Sequence, residues 1–393
     1  MKLTKYFQNF FHSSQSSGIL LLFCVAVSLL VANSSAGEGF QRILDYQLGP
    51  YTNAVWINDG LMAVFFLLVG LEIKREIVEG ELSSFRNASL PIFAAIGGML
   101  VPAVIYVFFT MGTPYAAGWG IPMATDIAFS LAIVSMLGRN VPAAVKIFLA
   151  ALAIVDDLGA ILVIAIFYTD QLHWNYLLLS LGILILLIAL NYFKVTKHIY
   201  YLIPGALLWY FMHHSGIHAT IAGVMLAFTI PTNVSDVEIS PLEKLEHSLH
   251  MPVNFMIMPI FALANTNIAF KSGMVEGLFS GLGYGIILGL VAGKVLGISF
   301  FSWLAIKLKI STLPEKSTWM HMIGTGFLAG IGFTMSIFIA LLSFKGQVEL
   351  QEESKFAILI ASALSGFLGY VILKYFSRRK LTREEYQEKV KNF

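Results

Sequence analysis

Two adjacent aspartates, Asp156 and Asp157, lie inside a long apolar stretch of the chain. They follow Lys146 by about ten residues, or about 15 Å of α-helix, which is half the thickness of a hydrocarbon core. Because burying carboxylates at that depth is costly, the pair indicates a function. Carboxylate oxygens suit hard cations such as Na⁺ and Li⁺, and a desolvated carboxylate can exchange such a cation for a proton. We therefore expect a site that binds a cation and a proton in turn.

The two carboxylates are not expected to share one contact, because successive residues on a helix point about 100° apart. We expect one of them to face an ion path and the other to meet a partner within the protein. The alternative is a structural pair that neighbouring helices satisfy.

Lys294 is the one basic residue predicted inside a membrane span, and a lysine at that depth should meet a carboxylate. It is interpreted either as a member of a proton relay or as a counter-ion to Asp156 or to exposed helix carbonyls. The sequence favours neither role. A row of glycines spaced four residues apart surrounds it and predicts close packing of another helix: Gly281, Gly285, Gly289, Gly293 and Gly297.

Two apolar spans carry helix-breaking residues. Pro122 removes a backbone donor and clashes one turn back, whereas Gly330 and Gly332 weaken the second span. Such breaks survive in a membrane only where the freed backbone lines protein or a cavity, and a matched pair indicates an inverted repeat around a midplane site. Thr125 and Asp126, at the first break, are candidate further ligands of the cation.

The elements that must hold these residues are membrane helices. Hydrophobic residues make up 57% of the 393 positions and charged residues 12%, about half the charged fraction of a soluble domain. We predict an all-α polytopic membrane protein with about twelve spans, broken in spans four and eleven, in a single domain over residues 1–393. The predicted spans are centred near Val25, Met62, Leu100, Ser130, Ile154, Ile185, Leu207, Val224, Ile260, Val291, Ile331 and Phe367.

Basic residues collect in alternate connections between these spans, which predicts that both termini are cytoplasmic. Residues 1–17 form the predicted N-terminal segment and residues 377–393 a basic tail. Since the net charge is only +2, we expect the tail to meet anionic membrane lipids rather than nucleic acid.

Two further motifs carry weaker chemistry. Gly293-Lys294-Val295 resembles the end of an ATP-binding loop but lacks the following Ser or Thr and lies within a helix, so neither ATP nor another cofactor is expected. Glu246, His247 and His250 could ligate zinc, but no matching ligand set lies in a fixed frame. We favour a solvated cytoplasmic helix end or a pH-sensitive entrance shared with His218.

A charged group closes the second predicted span on its cytoplasmic side. Glu72, Lys74, Arg75 and Glu76 form either exposed ion pairs or the lining of a funnel.

Three strings of the sequence closely resemble the NhaA family of bacterial sodium/proton antiporters. They are Gly-Trp-Gly-Ile-Pro-Met-Ala-Thr-Asp-Ile-Ala-Phe from Gly118, Ala-Leu-Ala-Ile-Val-Asp-Asp-Leu-Gly-Ala from Ala151 and Gly-Ile-Gly-Phe-Thr-Met-Ser-Ile-Phe from Gly330. The resemblance extends to Gly-Leu-Glu-Ile-Lys-Arg-Glu from Gly70 and Leu-Glu-His-Ser-Leu-His from Leu245, and so covers nearly the whole chain.

The resemblance implies electrogenic exchange of cytoplasmic Na⁺ or Li⁺ for external protons, by alternating access, in a homodimer of the bacterial inner membrane. Asp157 then matches the principal ion-binding carboxylate, and Asp156 matches a neighbour that pairs with Lys294. Thr125 and Asp126 match residues where the broken helices cross. Positions that the family associates with cytoplasmic pH sensing or ion entry are matched by Glu72, Glu76, His218, Glu246, His247 and His250.

Two other functions could use buried aspartates. A sodium-coupled symporter of the same architecture would need additional room and polar groups for an organic solute. An intramembrane aspartyl protease would need aspartates on two helices and a Gly-x-Gly-Asp motif, whereas adjacent aspartates cannot flank a peptide bond. We therefore predict a transporter and not an enzyme.

Overall fold

In a computed structural model of the protein, residues 14–169, 172–232, 239–271 and 273–391 are described, without the side chains of 14, 15, 139 and 378–391. Most of the N-terminal segment and most side chains of the basic tail therefore lie outside the described residues. The helices are α1 (Ser14–Ala32), α2 (Gly37–Asp45), α3 (Asn53–Val78), α4 (Phe85–Thr110), α5 (Ile127–Met136), α6 (Ala143–Phe167), α7 (Trp174–Tyr192), α8 (Ile199–Ser215), α9 (Ile221–Thr229), α10 (Pro241–Asn265), α11 (Met274–Gly277), α12 (Gly281–Lys307), α13 (Trp319–Ala329), α14 (Phe333–Ser343) and α15 (Val348–Lys391). A 3₁₀ segment (Pro114–Met123) precedes α5, and strands β1 (Gln47–Leu48) and β2 (Tyr51–Thr52) form a small antiparallel hairpin.

Long apolar helices dominate the described part of the chain. Seven of them are long and apolar enough to cross a membrane: α3, α4, α6, α7, α10, α12 and α15 as far as Ser377. Three interrupted helix pairs pass the same test together, which gives up to ten spans: α1 with α2, the 3₁₀ segment with α5, and α13 with α14. The prediction of a helical, multi-span membrane protein is confirmed.

Eleven of the twelve predicted span centres fall on helical parts of the chain, and the twelfth, Ile331, falls on the break between two helices. Leu207 and Val224 lie in α8 and α9, which have 17 and 9 residues and are shorter than the roughly 20 residues of a straight span. Ile331 lies between α13 and α14. The number twelve therefore stays a prediction, as does the single domain.

The chain divides into two compact units. The first comprises residues Met1–Ile19, Ser84–Asp157 and Lys271–Phe393. It contains α4, α5, α11 to α15 and the first part of α6, as far as Asp157. All of the predicted cation-site residues and both helix breaks belong to this unit.

Within the first unit, α12 packs along α4 through the predicted row of glycines. A Cβ atom on Gly281 would lie 2.7 Å from the carbonyl oxygen of Phe109, and one on Gly293 would lie 2.9 Å from the Cα of Pro102. Gly97 and Gly297 face each other so closely that a Cβ on either would overlap the carbonyl oxygen of the other. The predicted close approach of another helix is confirmed, because only glycine fits at these crossings.

The second unit comprises residues Leu20–Ser83 and Leu158–Phe270. Its core lies where α3, α8 and α9 meet and includes the buried side chains of Leu71, Tyr201, Leu208 and Ala227. A cavity of about 660 Å³ also lies in this unit, between α2, α3, α8, α9 and α10. The wall of the cavity is almost entirely apolar, so it offers a cation few oxygen ligands.

Candidate functional site

The first helix break lies at residues 124–126. Pro122 is inside the 3₁₀ segment, and α5 begins at Ile127 with its axis turned by 42° from that segment. Asp126 caps α5, since its Oδ1 accepts the backbone N–H of Phe129 at 3.1 Å. A carboxylate in this position satisfies an otherwise unpaired N–H and meets the positive end of the helix dipole.

The second break lies at residues 330–332. Helix α13 ends at Ala329, and α14 begins at Phe333 with a turn of 45°. A Cβ on Gly330 would overlap the carbonyl oxygen of Leu290, and a Cβ on Gly332 would overlap the hydroxyl of Ser336. The two glycines thus allow neighbouring atoms to approach the backbone more closely than any side chain would permit.

The two breaks are joined to each other by hydrogen bonds through Asp126. Its backbone N–H donates to the carbonyl oxygen of Ile331 at 2.6 Å. Its Oδ2 accepts the backbone N–H of Thr334 at 3.1 Å and also the Thr334 hydroxyl. Because Thr334 is in the first turn of α14, Asp126 closes the N-terminal ends of both α5 and α14.

Serine hydroxyls make a reciprocal exchange between the same two pairs. In α5, Ser130 donates to the carbonyl oxygen of Leu328 in α13 at 2.7 Å. In α14, Ser336 donates to the carbonyl oxygen of Ile121 in the 3₁₀ segment at 2.7 Å. Each of α5 and α14 therefore donates a hydrogen bond to a carbonyl oxygen in the segment that precedes the other break. These bonds are needed because the bilayer core has no water to satisfy a carbonyl group.

Asp156, Thr125 and Lys294 form a fully buried cluster beside the breaks. The Lys294 ammonium donates to Asp156 Oδ2 at 2.6 Å and to Thr125 Oγ1 at 3.0 Å. The Thr125 hydroxyl lies 2.7 Å from Asp156 Oδ2 and 2.8 Å from the carbonyl oxygen of Ala329. Since a hydroxyl has one proton, Thr125 can donate to only one of these acceptors at a time.

Asp156 uses a single oxygen, Oδ2, for both of its partners. The other oxygen, Oδ1, is buried and has no hydrogen-bond partner among the described residues. Asp157 follows on the same helix with 2% of its surface exposed. The ion pair of Asp156 and Lys294 thus lies next to a second buried carboxylate. Carboxylate oxygens in such a low-dielectric place can stabilise a cation that has lost its water.

The charged group at the end of α3 lies in the second unit and forms a network with α10. Arg75 Nη2 lies 3.1 Å from Glu76 Oε1, and Arg75 Nε lies 3.1 Å from Glu246 Oε2. The side chains of Glu76 and Glu246 are only 16% and 10% exposed. The neighbouring Lys74 instead donates to the carbonyl oxygens of Phe228 and Ile230 at the end of α9. Glu72 lies one turn before Glu76 on α3.

The predicted histidines lie in two parts of the second unit. His247 and His250 are exposed on α10, and His250 contacts Asn254. His218 lies before the start of α9, where its Nε2 contacts the carbonyl oxygen of Tyr168. Lys74, next to Arg75 on α3, contacts the other end of α9. The entrance predicted to combine His218 with Glu246, His247 and His250 stays a prediction.

Metal-ligand geometry gives no support to the zinc alternative. Across the described ranges, no three or more His, Cys, Asp or Glu side chains are grouped so that they could hold a metal ion.

Several residues that organise the breaks have no strong signal in the sequence. Thr334, Ser130 and Ser336 are hydroxyl residues within apolar helices, where such residues commonly bond their own backbone. The available signal is position: Thr334 and Ser336 directly follow the glycine pair, and Ser130 lies one turn after Asp126.

The sequence matches proteins of one family over nearly its whole length. The family model described as Na⁺/H⁺ antiporter 1 matches residues 8–373. The chain is 60% identical over 385 residues to Na⁺/H⁺ antiporter NhaA 2 of Flavobacterium johnsoniae, covering 96% of this chain and 94% of that protein. It is 52% identical to Na⁺/H⁺ antiporter NhaA of Dechloromonas aromatica, with 96% and 97% covered. It is 48% identical to the NhaA antiporter of Cytophaga hutchinsonii, with 99% and 100% covered.

Proposed function

The chain belongs to the Na⁺/H⁺ antiporter 1 family, and we propose that it exports cytoplasmic Na⁺ or Li⁺ in electrogenic exchange for external protons. It is a transporter and not an enzyme. Na⁺, Li⁺ and H⁺ are its transported ions, and it requires neither ATP nor a cofactor.

The cation and the proton compete for one site in this proposal. Asp157 is the principal carboxylate, with Asp156, Asp126 and Thr125 nearby as further oxygen groups. When the cation leaves, protons take its place on the carboxylates, so the site is never left with uncompensated buried charge. Because both ions use the same oxygens, binding of one excludes the other and their fluxes are coupled.

The observation that carries this proposal is the buried cluster of Asp156, Lys294 and Thr125. Lys294 offsets the charge of Asp156 through a contact of 2.6 Å, which leaves Asp156 Oδ1 as an acceptor next to the buried carboxylate of Asp157. We assign Lys294 the role of counter-ion to Asp156. A part in the proton relay is compatible with the same contact and is tested separately below.

Alternating access involves the two helix breaks. We propose that the chain has twelve spans, that spans four and eleven are broken and cross each other, and that spans three to five repeat as ten to twelve in inverted orientation. The reciprocal bonds of Ser130 and Ser336 support the repeat, because corresponding residues of the two halves exchange equivalent contacts. Small movements of α5 and α14 would then open the site to one side of the membrane at a time.

Transport is further proposed to be regulated by pH through charged residues on α3 and α10. Glu72, Glu76 and Glu246 lie on the two helices that Arg75 connects. His250 follows Glu246 by one turn on α10, and His247 is exposed on the same helix. Titration of this network would change the charge at the cytoplasmic entrance. His218, which contacts the carbonyl oxygen of Tyr168, is proposed to take part in the same regulation.

The protein is proposed to reside in the bacterial inner membrane as a homodimer with both termini in the cytoplasm. Lys and Arg concentrate in the segments that this topology places inside. The basic tail then lies against anionic lipid headgroups.

The test uses everted membrane vesicles from cells that lack their own sodium/proton antiporters. Vesicles holding a respiratory pH gradient should lose part of it when NaCl or LiCl is added, and choline chloride should have no effect. Imposing a membrane potential on proteoliposomes should change the exchange rate, because unequal charge moves in each cycle. No response to Na⁺ or Li⁺ at any pH would disprove exchange, and uptake that requires an organic solute would establish a symporter.

A further inference from the structure

Helix α14 begins at the centre of the site with a residue that cannot cap it. Its N-cap is Gly332, which has no side chain, whereas α5 begins with Asp126 as its own cap. The first N–H groups of any helix lack partners within the helix, and a buried N–H without an acceptor is costly. The acceptors for α14 must therefore come from other helices.

Two side chains from different helices supply these acceptors. Asp126 accepts the N–H of Thr334, as described above. The N–H of Phe333, the first residue of α14, donates to the hydroxyl oxygen of Ser362 in α15 at 3.2 Å. Only 8% of the surface of Ser362 is exposed, so water has little access to compete for this hydrogen bond.

Ser362 lies on the face of α15 that packs along the second break. A Cβ on Gly366 would contact the side chain of Ile331, and one on Gly369 would contact that of Leu328. Ser365, which directly precedes Gly366, lies against Gly330. Residues of α15 at helical spacing thus track α13, the break and the start of α14 in antiparallel order.

We propose that Ser362 is a positioning residue for the cation site, a role that rests on the antiport function proposed above. Its hydroxyl replaces the side chain that Gly332 lacks and fixes the first turn of α14. That turn carries the N–H and O–H groups of Thr334, which orient the carboxylate of Asp126 and stabilise its negative charge. Ser362 therefore acts on the ion through Phe333, Thr334 and Asp126 without touching it.

The proposal predicts a change in apparent sodium affinity rather than in the amount of folded protein. Without the acceptor, the first turn of α14 loosens, Asp126 is less well held as an anion, and Na⁺ competes less effectively with protons. Ser362→Ala should raise the half-saturating Na⁺ concentration in everted vesicles by about three- to tenfold, the range expected from one buried hydrogen bond. Ser362→Thr, which keeps the hydroxyl, should remain within about twofold of the unsubstituted protein.

Ser354→Ala is the matched control. Ser354 lies on the same helix, is fully buried and has no hydrogen-bond partner among the described residues. Its substitution should leave the half-saturating concentration unchanged. All variants are compared at equal protein per vesicle and with their melting temperatures in detergent.

Three results would overturn the role of Ser362. They are an unchanged half-saturating concentration in Ser362→Ala, a loss confined to protein amount or maximal rate, and a Ser362→Thr variant as impaired as the alanine variant. If the alanine variant does not accumulate, Ser362→Cys is tested instead. Because the thiol is a weaker acceptor than the hydroxyl, its half-saturating Na⁺ concentration should be intermediate. A normal value would contradict the proposal. A failure of the antiport proposal is distinct, since the unsubstituted protein would then show no exchange.

Discussion

The ammonium of Lys294 lies 2.6 Å from Asp156 Oδ2, with both side chains fully buried. Each charge is therefore removed from water and depends on the other. Breaking a buried pair by removing one partner typically costs about 3–5 kcal/mol, whereas removing both is much milder. This relationship makes the stability of the protein an independent test of the site.

Lys294→Ala should lower the melting temperature at least as clearly as it lowers transport, because it leaves the Asp156 carboxylate buried without its cation. Adding Asp156→Asn should restore much of the lost stability. Thermal unfolding of the purified variants in one detergent measures both effects. A Lys294→Ala protein of normal stability that exchanges ions without moving net charge would instead support the proton-relay role.

Asp157→Asn should abolish exchange while the protein still accumulates in the membrane, since the amide keeps the shape but cannot hold a proton or balance a cation. The measurement is the loss of the pH gradient in everted vesicles on addition of Na⁺ or Li⁺. Asp45→Asn, at the exposed end of α2, is the control and should behave like the unsubstituted protein. An undiminished response in Asp157→Asn would remove this residue from the site.

Thr125→Val should weaken the site, because valine keeps the volume of threonine but loses the hydroxyl that links Asp156, Lys294 and the carbonyl of Ala329. We expect a stability loss of about 1–3 kcal/mol, typical of leaving buried polar groups unsatisfied, and a higher half-saturating Na⁺ concentration. Thr125→Ser keeps the hydroxyl and should be close to normal. Equal behaviour of the valine and serine variants would show that the hydroxyl has no such role.

Gly297→Ala should destabilise the first unit, because the added methyl group would overlap the backbone of Gly97 and force α4 and α12 apart. A cost of about 1–3 kcal/mol is expected for overpacking of this kind. Gly182→Ala on α7, where a Cβ atom would meet nothing within 4 Å, is the matched control. That variant should melt at the normal temperature or slightly above it, so similar losses in both would argue against the crossing as the cause.

Arg75→Gln should alter the pH dependence of exchange more than its maximal rate. The substitution removes the cation that links Glu76 and Glu246 while leaving the cation site in the other unit unchanged. Exchange rates from pH 6 to 9 in vesicles measure the profile, and Arg42→Gln on exposed α2 is the control. A lower rate with the same profile would contradict a regulatory role for this network.

The sequence predicts the local features of this protein well, because each has a local physical signature. Pro122 lies two residues before the first interruption, and Gly330 and Gly332 lie in the second. The glycine row of α12 indicated a close crossing, which the contact between Gly97 and Gly297 confirms. The positions of Asp156 and Lys294 near the middle of apolar segments indicated that the lysine would meet a carboxylate, and the two side chains do contact each other.

What the sequence could not predict depends on which distant segments meet. A serine in an apolar helix usually bonds its own backbone, so nothing local showed that Ser130 would reach Leu328 or that Ser362 would reach Phe333. The exact number of spans was also not decided, because α8 and α9 are shorter than a standard span.

The bonds between the two breaks also constrain the order in which the protein can be made. Asp126 is synthesised 208 residues before Thr334, which it must bind. While the ribosome translates the intervening chain, the first break is already entering the membrane without its partners. Its backbone groups must then be shielded by water, by the insertion machinery or by temporary neighbours until the C-terminal half arrives. Translation that stops before residue 334 therefore leaves a fragment whose Asp126 lacks the N–H and O–H groups of Thr334.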